Sequence, residues 1–191
     1  MSTALPEYTL ELRPTGCARP TIPVDMAALQ LVRAYKMIVS KYRHTIPKFK
    51  DIKLAVSASA PETMKGLQED LEQGKLRVSP EHSSQSLYGD VGNLWFRWFH
   101  DMGHLATGLR MHHKGETDLA KLQLSDVYTA LSTLGMSDTN VSFCAALYMA
   151  DSAAQSDHLV QRGEFPVDQK QFVLDTVQAW GWEVPDGHTI H

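Results

Sequence analysis

The stretch FRWFHDMGHLATGLRMHHKGE, residues 96 to 116, holds four of the chain's nine histidines together with one aspartate and one glutamate. Bulky apolar residues, among them Trp98, Phe99 and Leu105, are interleaved with these polar side chains. Polar groups inside an apolar helix raise the free energy of the fold unless hydrogen bonds or a bound ion satisfy them. The stretch therefore predicts a buried helix with a ligand-binding role.

The composition is that of a globular chain. Of 191 residues, 43% are hydrophobic and 21% charged, and the net charge of −4 does not favour nucleic-acid binding. No apolar run approaches the roughly 20 residues that span a bilayer. The first twelve residues, MSTALPEYTLEL, do not resemble a secretory signal. Cys17 and Cys144 lack the CxxC spacing of a metal knuckle, so we expect a cytoplasmic protein.

Helical spacing of apolar residues dominates the chain and predicts a mainly α fold, a single-domain bundle of about six helices. Residues 1–24, rich in proline, are expected to form an arm that begins with a short extended segment, and residues 25–191 a helical metal-binding domain. IKLAV, residues 52–56, fits either a short strand or a loop, and KLRV, residues 75–78, is interpreted as connector. The predicted helices are 26–43, 62–74, 88–109, 115–134, 138–160 and 167–182.

The central helix carries the first candidate metal ligands. His100 and His104 are four residues apart, so their side chains lie on one face of the helix and can bind a single ion. Asp101 lies about 100° further round the helix, within reach of the same site. Arg97 precedes Asp101 by four residues and is expected to pair with its carboxylate.

Later helices offer further ligands. Glu116 follows a glycine at the start of the next predicted helix, where an acidic residue also favours the helix dipole without any metal. Asp151, Gln155 and His158 form one stripe on a later helix, which is either a ligand-bearing face or a solvated one. Mixed histidine and carboxylate donors favour manganese, zinc, cobalt or iron, with magnesium as a further candidate.

The motif HDMGH, residues 100–104, resembles the His-Asp signature of the HD-domain superfamily of metal-dependent phosphohydrolases. The resemblance implies an all-helical fold and hydrolysis of a nucleotide or a related phosphoester. It also implies a metal held by the pair His100 and Asp101, by a later Asp151 and by an earlier histidine. That first histidine is His82 in the word PEHSS, with His44 as the alternative.

The mechanism implied by this resemblance uses a metal-bound water as the nucleophile. Glu116 or His104 would act as general base or acid, and Arg97 would stabilise the charge of the transition state. His104 and His158 complete the candidate metal ligands. The candidate substrate-binding residues are Arg110, Lys114 and Gln155.

Two other functions fit the same residues. A ferritin-like di-iron or di-manganese oxidoreductase would use Asp101, His104, Glu116, Asp151 and His158, although its second Glu-x-x-His motif is missing. The second of these functions is that of a non-enzymatic interaction protein whose metal is only structural. A zincin protease is less favoured because its catalytic glutamate is replaced by an aspartate. A homo-oligomer is compatible with all of these functions.

Overall fold

The computed structural model describes residue 12, residue 14 and residues 19–185. Most of the predicted arm, including its extended beginning, therefore lies outside the described residues. Leu12 is buried, and its carbonyl oxygen accepts a hydrogen bond of 2.6 Å from the indole of Trp182. Thr21 exchanges two hydrogen bonds of 2.9 Å with the side chain of Asn140. The described part of the arm thus packs against the later helices.

The described residues form a mainly α structure. A π-helical turn, Ala150–Ala154, joins α5 to α6, so these two helices form one continuous rod and the bundle has six rods. The prediction of a mainly α bundle of about six helices is confirmed. None of the helices in this part of the chain is long and apolar enough to cross a bilayer. The helices are α1 (Val24–Thr45), α2 (Met64–Glu72), α3 (Gly89–Thr107), α4 (His113–Thr133), α5 (Asp138–Met149), α6 (Gln155–Arg162) and α7 (Gln169–Ala179).

Two short strands accompany the helices. β1 (Lys53–Val56) pairs in parallel with β2 (Lys75–Val78), and α2 forms the connection between them. The strand alternative for residues 52–56 is therefore correct, whereas the interpretation of KLRV as connector was wrong. Leu76 and Val78 are buried while their neighbours are partly exposed, but four residues are too few for this alternation to be recognised in the sequence.

The bundle is centred on aromatic side chains from three helices. Tyr35 of α1 stacks on Phe99 of α3 with ring centroids 5.1 Å apart, and Tyr148 of α5 lies 6.1 Å from Phe99. All three side chains are fully buried. Phe96, one turn before His100 on α3, also contacts Tyr35, at 5.7 Å. This packing fixes the rotation of α3 and therefore the direction in which its histidines point.

The connection between α3 and α4 is short and well determined. Gly108 ends α3 in the left-handed conformation, with φ of 74°, which glycine adopts without strain. The side chain of His112 caps α4 by accepting a hydrogen bond of 3.1 Å from the amide of Gly115. Only five residues, 108–112, separate the two helices. The start of α4 therefore lies beside the end of α3.

Candidate metal centre

Three ligand atoms converge where α3 meets α4. The Nε2 atoms of His100 and His104 are 3.1 Å apart, and the Glu116 carboxylate lies 2.9 Å from the first and 3.2 Å from the second. We call this group the His–His–Glu cluster. Ligand atoms bound tetrahedrally to one zinc ion at 2.0–2.2 Å lie about 3.3 Å from each other. The cluster therefore has the dimensions of a site for a single metal ion.

Backbone geometry explains why Glu116 reaches the histidines. The rings of His100 and His104 lie one helical turn apart, with centroids separated by 4.7 Å. Gly115 packs directly on the carbonyl oxygen of Arg110, and a Cβ atom at this position would overlap that oxygen. Only glycine permits this approach of the chain, which sets Glu116 in the first turn of α4 opposite the two rings.

The hydrogen bond of His104 determines which of its nitrogens can bind a metal. Its Nδ1 lies 2.8 Å from the carbonyl oxygen of Leu109, and a carbonyl accepts a hydrogen bond only, so Nδ1 carries the proton. In the neutral ring, Nε2 then presents a lone pair to the cluster. A histidine ligand oriented by a backbone carbonyl in this way is typical of metal sites. The ring is fully buried, so water does not compete for it.

His100 and Glu116 shift each other's protonation in opposite directions. Burial acts to lower the pKa of His100, but the hydrogen bond and charge of Glu116 outweigh burial, so the pKa is raised. Burial acts to raise the pKa of Glu116, but the hydrogen bond from His100 and the further influence of His104 outweigh burial, so that pKa is lowered. The cluster thus attracts positive charge, and a metal would compete with a proton for the same position.

One polar atom of the cluster lacks a partner. The Nδ1 atom of His100 is buried and has no hydrogen-bond partner among the described residues. A buried, unsatisfied polar nitrogen is destabilising by about 1–3 kcal/mol. The local fold therefore carries a free-energy penalty at His100, as is common where function constrains a side chain.

Two acids, the buried Asp151 and the half-buried Asp101, lie close enough for their charges to act on His100. Burial raises the pKa of Asp101 to about 6 and that of Asp151 to about 7. Asp151 lies in the π-helical turn, a feature that is frequent at functional sites. Its carboxylate accepts a hydrogen bond of 2.8 Å from Gln155 and a second from the hydroxyl of Tyr88. Each of the two acids can therefore exchange a proton near neutral pH.

The structure places the predicted ligand Asp101 outside the His–His–Glu cluster. Asp101 is the next residue after His100, so its side chain points about 100° away from the face that His100 shares with His104. Arg97 makes no ion pair with Asp101 in the described part of the chain; its guanidinium donates to the carbonyl oxygen of Glu81 at 2.9 Å. Burial lowers the pKa of Arg97, while the charges of the nearby acids oppose this shift.

Five other predicted residues lie away from the cluster. His82 is exposed and has a left-handed backbone with φ of 58°. The ring of His158 packs against Phe172 of α7 at 5.1 Å, because the π-helical turn holds an extra residue and rotates α6 relative to α5. Arg110 and Lys114 are exposed, and Lys114 pairs with Asp118 at 2.5 Å. The alternative first histidine, at position 44, is also exposed.

Comparison of the chain with protein-family models, with curated proteins and with solved structures gives no match. The relationship to HD-domain phosphohydrolases therefore stays a prediction. The sequence interpretation assigned Glu116 to catalysis, whereas its position in the structure is that of a candidate ligand. The signals that point to a ligand position are Gly108, Gly115 and the capping residue His112, because together they indicate a tight turn after His104.

Proposed function

We propose that the protein is a metal-dependent phosphohydrolase that acts on a nucleotide or a related phosphoester, with its metal held by His100, His104 and Glu116. The convergence of these three ligand atoms within hydrogen-bond distance of each other is the observation that carries the proposal. Three protein ligands are typical of catalytic zinc sites, which keep a position open for water, whereas structural sites use four.

The donor set suits a divalent transition metal. Two imidazoles and one carboxylate bind zinc, manganese, cobalt or iron in preference to calcium. The two histidines and Glu116 are already oriented, so binding would require little rearrangement. When bound, such a metal supplies Lewis acidity and lowers the pKa of a coordinated water.

The surrounding residues supply proton transfer and charge. Asp151, whose pKa is raised to about 7, can accept a proton from an attacking water near neutral pH. Gln155 and Tyr88 hold its carboxylate in place. Arg97, whose charge acts on both Asp101 and Asp151, would offset the negative charge of a phosphoryl group.

A second candidate function follows from the same donor set. Two histidines and one carboxylate around a single metal are also the ligands of mononuclear non-haem iron oxygenases. The described residues bring together one such group, which favours this form of iron chemistry over the ferritin-like di-iron alternative. A structural metal in an interaction protein would use the same ligands without turnover.

Turnover assays separate these functions. The purified protein would be freed of metal, reloaded separately with Mn²⁺, Co²⁺, Zn²⁺ or Mg²⁺, and incubated anaerobically with a panel of nucleotides and simple phosphoesters. We expect release of phosphate or pyrophosphate with at least one metal. Oxygen uptake after loading with Fe²⁺, without any phosphate release, would replace the hydrolase proposal by the oxygenase. Metal binding with neither activity would favour the interaction protein.

Two variants test the assigned roles. His100→Ala should lose both metal and turnover, because it removes a ligand. Asp151→Asn should keep the metal and lower kcat by about 10²–10⁴-fold, the range for a general base. His82→Asn is the matched control, since asparagine tolerates the left-handed backbone and His82 lies outside the cluster. Full turnover in Asp151→Asn would exclude this aspartate as the base.

A further inference from the structure

A second candidate binding site lies on another face of the bundle. A surface cleft of about 410 Å³ is formed by the C-terminal half of α1, the residues that follow α1 and Trp95 of α3. This volume is within the range of small-molecule sites, about 300–1,000 Å³. Trp95 and His100 are five residues apart on α3, which separates their directions by about 140° around the helix axis. The cleft therefore does not belong to the His–His–Glu cluster.

The wall of the cleft is positively charged. Lys36, Arg43 and Lys50 line it, against a single acidic residue, Asp51. Within the described part of the chain, none of these four side chains forms an ion pair. The chain as a whole carries a net charge of −4, so this local excess of positive charge runs against the overall balance. Such a surface attracts anions.

Arg43 provides an independent indication of a ligand. Its Nε atom is buried and has no hydrogen-bond partner among the described residues. A cation in the last turn of α1 also favours the helix dipole, which accounts for the charge of Arg43 but not for the unpaired buried N–H. A guanidinium binds phosphate and carboxylate through paired N–H groups, so a rotation of the Arg43 side chain toward an anion in the cleft would satisfy this donor.

The remaining wall is apolar and aromatic. The indole of Trp95 and the buried side chain of Val39 line the cleft. The Nζ atom of Lys36 lies 5.4 Å from the centre of the Trp95 ring, which places a cation beside the aromatic surface. A ligand that matches both parts of the wall carries an anionic group next to a flat organic ring.

We propose that this cleft binds a small phosphate-bearing ligand with a planar ring, of the nucleoside monophosphate class. Its phosphate contacts Arg43 and Lys50, and its ring lies against Trp95. The site is separate from the metal centre and does not depend on the proposed hydrolase activity. Occupancy of the cleft should therefore persist when no metal is bound.

Isothermal titration calorimetry on the full-length protein in EDTA tests this proposal, because the chelator removes metal and prevents turnover. The probes are adenosine 5′-monophosphate, ribose 5-phosphate, inorganic phosphate and adenosine. We expect the nucleotide to bind at one site, the two smaller phosphates to bind more weakly, and adenosine to bind at least tenfold more weakly than the nucleotide. Arg43→Gln should weaken nucleotide binding at least tenfold.

The control variants locate the bound nucleotide. Arg33→Gln changes an exposed arginine on the same helix outside the cleft, and His100→Ala removes a residue of the His–His–Glu cluster. Both should bind the nucleotide like the unaltered protein. Lys50→Gln changes an exposed residue of the cleft and should also weaken nucleotide binding. It replaces Arg43→Gln as the test variant if Arg43→Gln does not fold.

Three results would overturn the proposal. The first is no binding of the nucleotide by the unaltered protein at millimolar concentration. The second is equal weakening by Arg33→Gln and Arg43→Gln, which would indicate diffuse attraction to positive charge. The third is loss of binding in His100→Ala, which would place the nucleotide at the metal centre.

Discussion

The Asp70–Arg77 ion pair and the His–His–Glu cluster differ in how completely their polar atoms are hydrogen-bonded. Asp70 on α2 is 1% exposed, and its carboxylate is saturated by Arg77 of β2. The Arg77 side chain donates to it from Nε at 3.0 Å and from Nη2 at 2.8 Å, and the Arg77 amide donates at 3.1 Å. Both oxygens of the buried carboxylate accept hydrogen bonds from Arg77, so the carboxylate needs nothing further.

The His–His–Glu cluster leaves its groups incompletely matched. Two ring nitrogens face each other at 3.1 Å, and both also face the Glu116 carboxylate. Since His104 already donates its proton to Leu109, its second nitrogen can only accept, and His100 Nδ1 has no partner in the described residues. The difference between the two groups shows how a closed ion pair differs from a group of ligand atoms that could hold a cation.

Removal of one ligand should have the largest effect. His100→Ala leaves two ligand atoms, so we expect the metal content measured by elemental analysis to fall from about one ion per chain to almost none. Metal at 100 times its Kd should stabilise the unaltered protein by about 2.7 kcal/mol, and this gain should vanish in the variant. Retention of the metal by a folded His100→Ala protein would remove the cluster as a metal site.

Breaking the closed pair should destabilise the fold without changing metal content. Arg77→Ala leaves the Asp70 carboxylate buried and unpaired, and we expect the free energy of unfolding to fall by about 3 kcal/mol. This value is the lower end of the range for buried ion pairs, because Arg77 is partly exposed. Urea unfolding measures this loss. Lys65→Ala, which removes an exposed pair with Glu69 on the same helix, should change stability by about 0.5 kcal/mol at most.

The effect of Arg77→Ala should depend on pH. Burial acts to raise the pKa of Asp70, but the hydrogen bonds and charge of Arg77 outweigh burial, so the pKa is lowered from its usual 3.8. The stabilisation is therefore fully present above the unfolded-state pKa and is lost as pH falls through the folded-state pKa. In the variant, burial without Arg77 raises the pKa of Asp70, so the difference between the two proteins should be largest at neutral pH and shrink in acid; a constant difference at all pH values would contradict this origin.

Replacement of Asp151 should raise the free energy of unfolding, an effect that is smaller than that of Arg77→Ala and opposite in sign. Its folded-state pKa of about 7 exceeds the usual 3.8, so between these values the folded protein keeps a proton that the unfolded chain has lost. Stability therefore decreases as pH rises from about 4 to 7, and a permanently neutral side chain avoids this loss. In metal-free protein, Asp151→Asn should be more stable by about 1–3 kcal/mol at pH 8 and equal near pH 3.5.

The comparison at pH 8 and pH 3.5 is decisive for Asp151, since a change in packing would shift stability equally at both. Urea unfolding of both proteins in EDTA provides the measurement. If Asp151→Asn is less stable at pH 8, the hydrogen bonds that its carboxylate accepts from Gln155 and Tyr88 contribute more than burial of its charge costs.

The smallest effect is expected at Lys114, which the sequence indicated as substrate-binding. It is exposed and pairs with Asp118 four residues later, and such pairs contribute about 0.3–0.5 kcal/mol. Lys114→Ala should therefore leave unfolding free energy and metal content almost unchanged. An increase in KM for a phosphoester, with stability unaffected, would support its role in substrate binding; a loss of more than about 1 kcal/mol would contradict the surface assignment.

Local periodicity made several features predictable from the sequence. The spacing of apolar residues indicated the helical class and the six rods, and the interval of four residues placed His100 and His104 on one face. Both follow from the geometry of the α-helix alone, which does not depend on distant parts of the chain. The burial of α3 followed from its density of bulky apolar residues.

Other features depended on tertiary packing. The sequence by itself determined that His100 and His104 share a face, but it did not determine which carboxylate faces them. That choice was made by the turn between α3 and α4, where Gly115 packs on the Arg110 carbonyl and directs Glu116, not Asp101, toward the rings. The π-helical turn likewise rotated His158 toward α7. Helix periodicity is local, whereas the approach of two helices depends on backbone contacts that no sequence interval specifies.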